Sequence, residues 1–534
     1  MRNPFVSAFC SLALAAAAAA QSPGLRLFQA VNNQPTQLVD TNGVVVKSWP
    51  TSTAVVAHMH SDGTLVRSVR AAGIGANGAS GRIQRLAFDG TVLWDYLLAG
   101  PSLLAHHDLV VMPNGNVLLI AWDLGLATSA IAAGRDPALV TGLTWLPDAV
   151  IEVQPTGPTS GAIVWEWHVM DHVVQEFDPL LPNYGAIAGH PELLDLNFPP
   201  EDVTNGDWNH MNGIDYDPDN DLVLVSMRST SEIYIIDHST TTAEAAGHSG
   251  GYHGKGGDFL WRWGNPQAYG AGTPQDQQLT HQHDPRFIPP GRPGAGSITV
   301  FDNEYSATQS AVLELMPARN TLGHFTIDPL TGRYPPDVPS WLFTEPGFFA
   351  AFVSSAQRLP NGNTLICSGT QFRLFEVTST GQTVWSYVDP TQNFIFQADY
   401  VDRSLWTDAA ALPVAGGQVG FDHLTASTHA GQTFLLLGSF TGTAPGTTVG
   451  GTVQLPLNVD FLTSAMVSTF NSGIFVNTIG TLDAFGAGSS AIVVPGAFIP
   501  PGLVGVNLDF AHLVFDGSLS AVRASNAARV TIVP

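Results

Sequence analysis

Five polar side chains fall on one rim when the hairpins of this sequence are aligned on their turn prolines: His107, His210, Asn212, His281 and His283. Six residues before Pro113, Pro218, Pro289 and Pro360 stand His107, Asn212, His283 and Ser354; eight before stand Ala105, His210, His281 and Phe352. Side chains two apart on a strand share a face, so these groups converge if the strands line a common channel. Convergent polar groups at a channel mouth are where a ligand is expected to bind, and imidazole is a side chain that could do chemistry there. One histidine at a strand start is more often a hydrogen-bonded structural group than a catalyst, and the weight lies on the cluster.

Arg228 ends the second strand of the hairpin that holds His210 and Asn212, and Arg286, Arg262 and Arg358 lie near other strand ends. A guanidinium donates paired hydrogen bonds that suit a tetrahedral oxyanion, with an ordinary ion pair as the plainer reading. His281 and His283 with a third histidine also resemble a facial metal site, yet no carboxylate motif accompanies them. Asp108 and Asp284 follow the histidines by one and are expected on the opposite face.

The elements that must position these groups are short strands. Asp207 to His238, DWNHMNGIDYDPDNDLVLVSMRSTSEIYIIDH, reads as an antiparallel hairpin and a third strand, most of one blade of a β-propeller. Related phrases occur at 106 to 123, 281 to 303 and 354 to 369, with a degenerate copy at 56 to 69. A second phrase, a strand, a Gly turn and a strand carrying Trp, alternates with the first at 82 to 96, 149 to 168 and 372 to 388. Tryptophans 94, 165, 261, 263 and 385 fall in the late strands and read as packing between blades. The strands of 24 to 50 lack a hairpin of their own, and NFIFQADYV (393 to 401) is their expected partner in a closing blade. Five hairpins and this mixed blade predict six blades. Two long insertions, Asp171 to Gly206 and His238 to Gly257, flank the reference blade.

Residues 1 to 20 have the pattern of a secretory signal peptide, one Arg, an apolar run and a small-residue cleavage site before Gln21. Cys10 leaves with it, and Cys367 alone cannot form an internal disulfide, so burial must hold the fold. No later stretch is long enough to span a bilayer. A formal charge of −24 argues against nucleic acid and anionic membranes as partners. From about Ala415 the composition turns to Gly, Thr, Ala and Val, with four acidic and two basic residues from Thr425 onward, as in a small β-sandwich. The expected organisation is a leader (1–20), an all-β propeller (21–414) and a C-terminal β-sandwich accessory domain (415–534).

WNHMNGIDYDPDNDLVLVSMRSTSEIYIID, HHDLVVMPNGNVLLI, QHDPRFIP with VFDN, and QRLPNGNTLI with FEVTSTGQTVWSYV resemble the bacterial arylsulfotransferases, from about residue 24 to 406 and in the family's order. The resemblance implies a six-bladed propeller and an exported enzyme, periplasmic or extracellular, that moves a sulfuryl group from a phenolic sulfate ester to another phenol without a nucleotide donor. It implies a histidine that carries the sulfuryl group, with no obligatory metal or other cofactor. His210 and His283 match two of the family's active-site histidines. The family's arginine falls where this chain has Glu304 to Thr308, and its nucleophilic histidine is met by Phe352 to Ser355. The catalytic candidates are therefore His210, His283 and His107; Asn212, His281, Arg228 and Arg286 are the candidates for substrate binding. Two other classes stay open: a non-catalytic extracellular binding module on the same propeller, and a metal-dependent hydrolase.

Overall fold

Strands Met211–Asp217 and Leu222–Met227 pair around the Pro218 turn, and Glu232–Asp237 and Trp261–Trp263 complete a four-stranded antiparallel sheet. Every residue of its two middle strands is buried, because both faces of this sheet are covered by packed neighbours. The computed structural model describes residues 20–31, 34–51, 53–75, 78–198, 206–496 and 498–534. The expected leader, all but its last residue, lies outside them, as does 199–205 of the first insertion.

The four-stranded unit recurs on the lead strands Ala54–Met59, Leu103–Val111, His283–Phe287 and Ser355–Arg358. One further sheet is mixed in origin: Ile395–Val401 pairs with Leu25–Ala30, which carries Thr36–Val39 and Val45–Trp49 behind it. This is the pairing expected of NFIFQADYV. The lead strands touch in a cycle, each against the next, and Ile395–Val401 returns to Ala54–Met59.

Tryptophans fasten the same cycle at its rim. Indole Nε1 donates from Trp49 to Phe88 O (3.0 Å), Trp94 to Ser160 O (2.9 Å) and Trp165 to Thr240 Oγ1 (3.2 Å). It continues from Trp261 to Pro335 O (2.8 Å), Trp341 to Ser379 O (2.8 Å) and Trp385 to Thr41 O (2.9 Å). Each indole serves the following sheet and the last serves the first, which satisfies its polar edge while burying its apolar body. The result is an all-β, propeller-like ring.

Leu405–Thr407 pairs with Gly417–Leu424, and Ala411–Pro413 pairs with Ala528–Val533. The described strands from Leu405 onward pair only with one another, a set that starts ahead of the composition change near Ala415. Two sheets there share one core, Phe421 and Ile492 from one against Leu436, Phe510 and Val530 from the other. Trp406 stacks on Phe88 at 4.3 Å, which joins this unit to the ring. No helix among the described residues is long and apolar enough to cross a membrane.

Candidate active site

Lead strands carry residues in the left-handed region within or just before them: φ is 48° at His107, 49° at His210, 56° at His281, 49° at Asp284, 54° at Val353 and 90° at Ser354. Residues with a Cβ seldom adopt this conformation, and its recurrence at equivalent places marks a site where geometry outranks local comfort. The ladders slip at the same points, between Ala105 and Leu109, Met211 and Gly213, and His283 and Arg286. Alternation fails across each slip. His106 and His107, neighbours that should face apart, both enter one site.

Hydrogen bonding fixes their tautomers. His106 Nε2 lies 2.7 Å from Asp148 Oδ1, and His106 Nδ1 lies 2.7 Å from His107 Nδ1. A carboxylate only accepts, so His106 donates to Asp148 from Nε2 and presents a lone pair at Nδ1. His107 then donates from Nδ1 and keeps the lone pair of Nε2, which has no hydrogen bond among the described residues. His106 stacks on Trp122 at 3.9 Å, and the amide of Met211 holds the second oxygen of Asp148 at 2.5 Å. Burial pushes Asp148 upward against the pull of His106.

His210 is arranged in the same way. Its Nδ1 lies 2.5 Å from Asp207 Oδ2, and Trp122 Nε1 donates to the other oxygen at 3.0 Å. Burial would raise Asp207, but the hydrogen bonds from His210 and Trp122 and the charges of His210 and His106 together outweigh it, and the carboxyl is lowered. The His210 ring meets that of His107 at 4.7 Å. His283 approaches through Phe396, which touches both His283 (6.4 Å) and His107 (5.9 Å). Asn303 donates to the carbonyls of Ala350 and Val353, so its oxygen must accept from His283 Nδ1, at 2.7 Å. The remaining His283 nitrogen accepts from the Val353 amide at 3.3 Å.

Burial, with His210, His106, His283 and Arg228 close by, pushes His107 well below the ordinary imidazole value. Burial brings His283 down to about 3 against its bond to Asn303, with Arg228 and His210 adding to the fall. The structure thus gathers His107, His210, His283 and Arg228 around one point. At neutral pH His107 and His283 are uncharged, and the guanidinium is the fixed cation.

The other sequence candidates sit elsewhere. Asn212 donates to the Gln282 carbonyl at 2.8 Å and joins two lead strands. His281 turns to Glu304 at 3.2 Å, so the His-x-His pair does not form one ligand set. Arg286 pairs with Asp284 (2.7 Å) and Asp399 (2.6 Å). It lines a cavity of about 1070 Å³ with His58, Asp399 and the turn residues Pro113, Pro218 and Pro289. Those turns follow the lead strands beyond His107 and His210, so this cavity opens at the far end of the ring. Arg262 and Arg358 are spent on Glu232 and Glu314. Residues that sequence alone passed over are His106, Asp148, Asp207 and Asn303, and also Gly78, where a Cβ would stand 2.2 Å from the His107 ring. Only the doublet His106-His107 carried a visible signal.

Among solved structures, a Bacteroides caccae protein of unknown function is similar at 13% identity, over 71% of this chain and 99% of its own, with a TM-score of 0.39. A Staphylococcus aureus virginiamycin B lyase matches at 12% identity, over 69% and 86%, with a TM-score of 0.32. A Pseudomonas aeruginosa periplasmic gluconolactonase matches at 12% identity, over 71% and 99%, with a TM-score of 0.33. No curated protein matches the chain. The arylsulfotransferase family model matches residues 13–404, the ring and all four convergent groups, and the chain belongs to the arylsulfotransferase (ASST) family.

Proposed function

We propose that this protein is an exported sulfuryl transferase that moves the group from a phenolic sulfate ester to a second phenol through a sulfohistidine. We read its ring as a six-bladed β-propeller, with a C-terminal β-sandwich opening at Leu405. The observation that carries the reading is the chain of contacts Asp148, His106, His107, which leaves a lone pair at His107 Nε2 beside His210 and Arg228.

His107 takes the nucleophile's part that the family gives to the position now held by Phe352 to Ser355. Its Nε2 attacks sulfur, the ester S–O bond breaks, and the electron pair leaves on the phenolate oxygen. His210, steadied by Asp207, delivers a proton to that oxygen and takes one from the incoming phenol, which then attacks the sulfuryl group. Arg228 offsets the charge on the sulfuryl oxygens in a loose transition state. The ring of His107 becomes cationic when sulfated, and the bond through His106 to Asp148 stabilises that charge. His283, bound at both nitrogens, braces the wall.

The test is a chromogenic aryl sulfate with a phenol acceptor. Phenol release is expected, lost in His107→Ala and His210→Ala, with a single SO3 trapped on the His107 peptide when acceptor is withheld. Absence of release above blank from folded protein would exclude the transferase. A second reading, a binding module, is favoured by the replacement of the family's arginine and histidine at 304 to 308 and 352 to 355. Saturable binding of the same ester without turnover would decide for it.

A further inference from the structure

We infer that the two long insertions are pinned together by a divalent transition-metal ion, zinc by its ligand chemistry, held by His172, His248 and Asp258. The inference stands apart from sulfuryl transfer. His172 ends the turn Val169–His172 that follows the strand Ser160–His168; His248 and Asp258 belong to the glycine-rich run between Glu232–Asp237 and Trp261–Trp263. One ligand atom from each lies within 4.8 Å of the others, and this is the group of three or more such side chains found among the described residues.

Proton counting supplies the argument. His172 Nε2 lies 2.8 Å from the Ala245 carbonyl, which only accepts, so that nitrogen carries the hydrogen. A neutral ring then points the lone pair of Nδ1 at Asp258 Oδ1, 2.9 Å away, and His248 Nδ1 meets the same oxygen at 2.8 Å. Two lone pairs cannot share that gap. A cation between them meets the ring nitrogens and the carboxylate oxygen at once, and a single proton in the gap is the alternative that the test below separates. With an ion there, Nδ1 binds metal while Nε2–H holds the carbonyl, the outer contact that metal-bound histidines keep.

The seat for the ring is built. His172 stacks on Trp167 at 5.2 Å and 1°, and Trp167 Nε1 donates to Gly257 O at 2.8 Å. A Cβ on Gly257 would come within 2.6 Å of His172 Nε2, so the approach needs glycine. His248 is 62% exposed, which leaves a fourth position for water. Two imidazoles and a carboxylate suit zinc, whereas calcium and magnesium prefer oxygen alone. Tetrahedral bonds of about 2.1 Å require ligand atoms roughly 3.4 Å apart, so the carboxylate retreats by about half an ångström on loading.

The test uses the full chain, stripped with chelator and reloaded with zinc at micromolar concentration. Metal content by mass spectrometry and the thermal midpoint are both measured. Stoichiometric zinc and a raised midpoint are expected, both lost in His248→Ala and Asp258→Asn and both kept in His210→Ala. His248 is mostly exposed, so its replacement folds, and a metal-free midpoint equal to that of the parent checks this. Zinc retained by His248→Ala, or none taken up by the parent chain, overturns the inference.

Discussion

His107 is constrained on both sides, by the Gly78 backbone against its ring and by His106 at Nδ1, so its reactive nitrogen has one direction left to face. Burial and neighbouring positive charge lower its proton affinity. The nucleophilic form is the deprotonated one, so a lowered value preserves activity toward acid. kcat/KM attributable to the nucleophile is expected to stay level as pH falls through the ordinary imidazole value of about 6.5. An acid limb centred at or above that value would move the nucleophile to another side chain. Asp148→Asn tests the relay: the new amide donates to His106 Nε2, reverses its tautomer, and turns the His107 proton onto Nε2. A fall in kcat of about 10³-fold or more with little change in KM is expected, as for other orienting carboxylates. His107, His210, His283 and Arg228 were legible because histidine and arginine at repeated strand ends are rare enough to notice. His106 was not, since strict alternation turns it away from His107, and Asp148 was not, since nothing in its own stretch marked it; alternation placed Asn212 in the site, and a position near a strand end placed Arg286 there.

At the scale of the element, the hairpins were readable because proline and glycine turns punctuate strict alternation, and the lead strands depart from it around the residues that carry the site. The left-handed residues there need room that side chains normally fill. Gly78 (φ 75°) provides it by accepting the His107 amide at 2.7 Å and exposing a bare Cα to the ring. Gly78→Ala is expected to lower kcat at least 100-fold with circular dichroism unchanged, whereas Gly73→Ala, with open space around it, keeps most activity. Just past the site the lead strands are joined by charge instead. His58 touches Asp399 at 2.7 Å and Asp108 at 3.2 Å; burial works against its proton, but the two carboxylates raise its value to about 10. A folded value above the unfolded one gives stability that is complete below about 6.5 and fades as pH climbs toward 10. The unfolding midpoint should decline across that window, and His58→Gln should flatten the decline. A parent curve already flat there would show that His58 is not held as a cation.

The whole molecule depends on how the ring is closed, and closure joins residues more than 350 positions apart. Composition could mark the two ends of the ring, since 24 to 50 held strands without a lead strand and 393 to 401 a lead strand without a blade. It could not show what locks them. Leu25–Ala30 lies between Thr36–Val39 and Ile395–Val401, and its Arg26 reaches Glu376 in the preceding sheet at 2.7 Å with both side chains fully buried. The Arg26 guanidinium also lies over Trp385, 4.4 Å from the ring, whose indole donates to Thr41 in the first sheet. Removing one partner of a buried pair strands the other charge, which costs about 3–5 kcal/mol. Glu376 still accepts from Ser22 and Asn363, which places Arg26→Ala near the lower figure. Arg373→Ala is the matched control: it breaks the half-buried pair with Glu345 (2.8 Å) in a lateral position and should cost about 0–1 kcal/mol. Urea unfolding of the two variants separates the cases. Equal losses would mean that backbone pairing alone closes the ring, and a loss confined to Arg26→Ala would assign the lock to the buried ion pair.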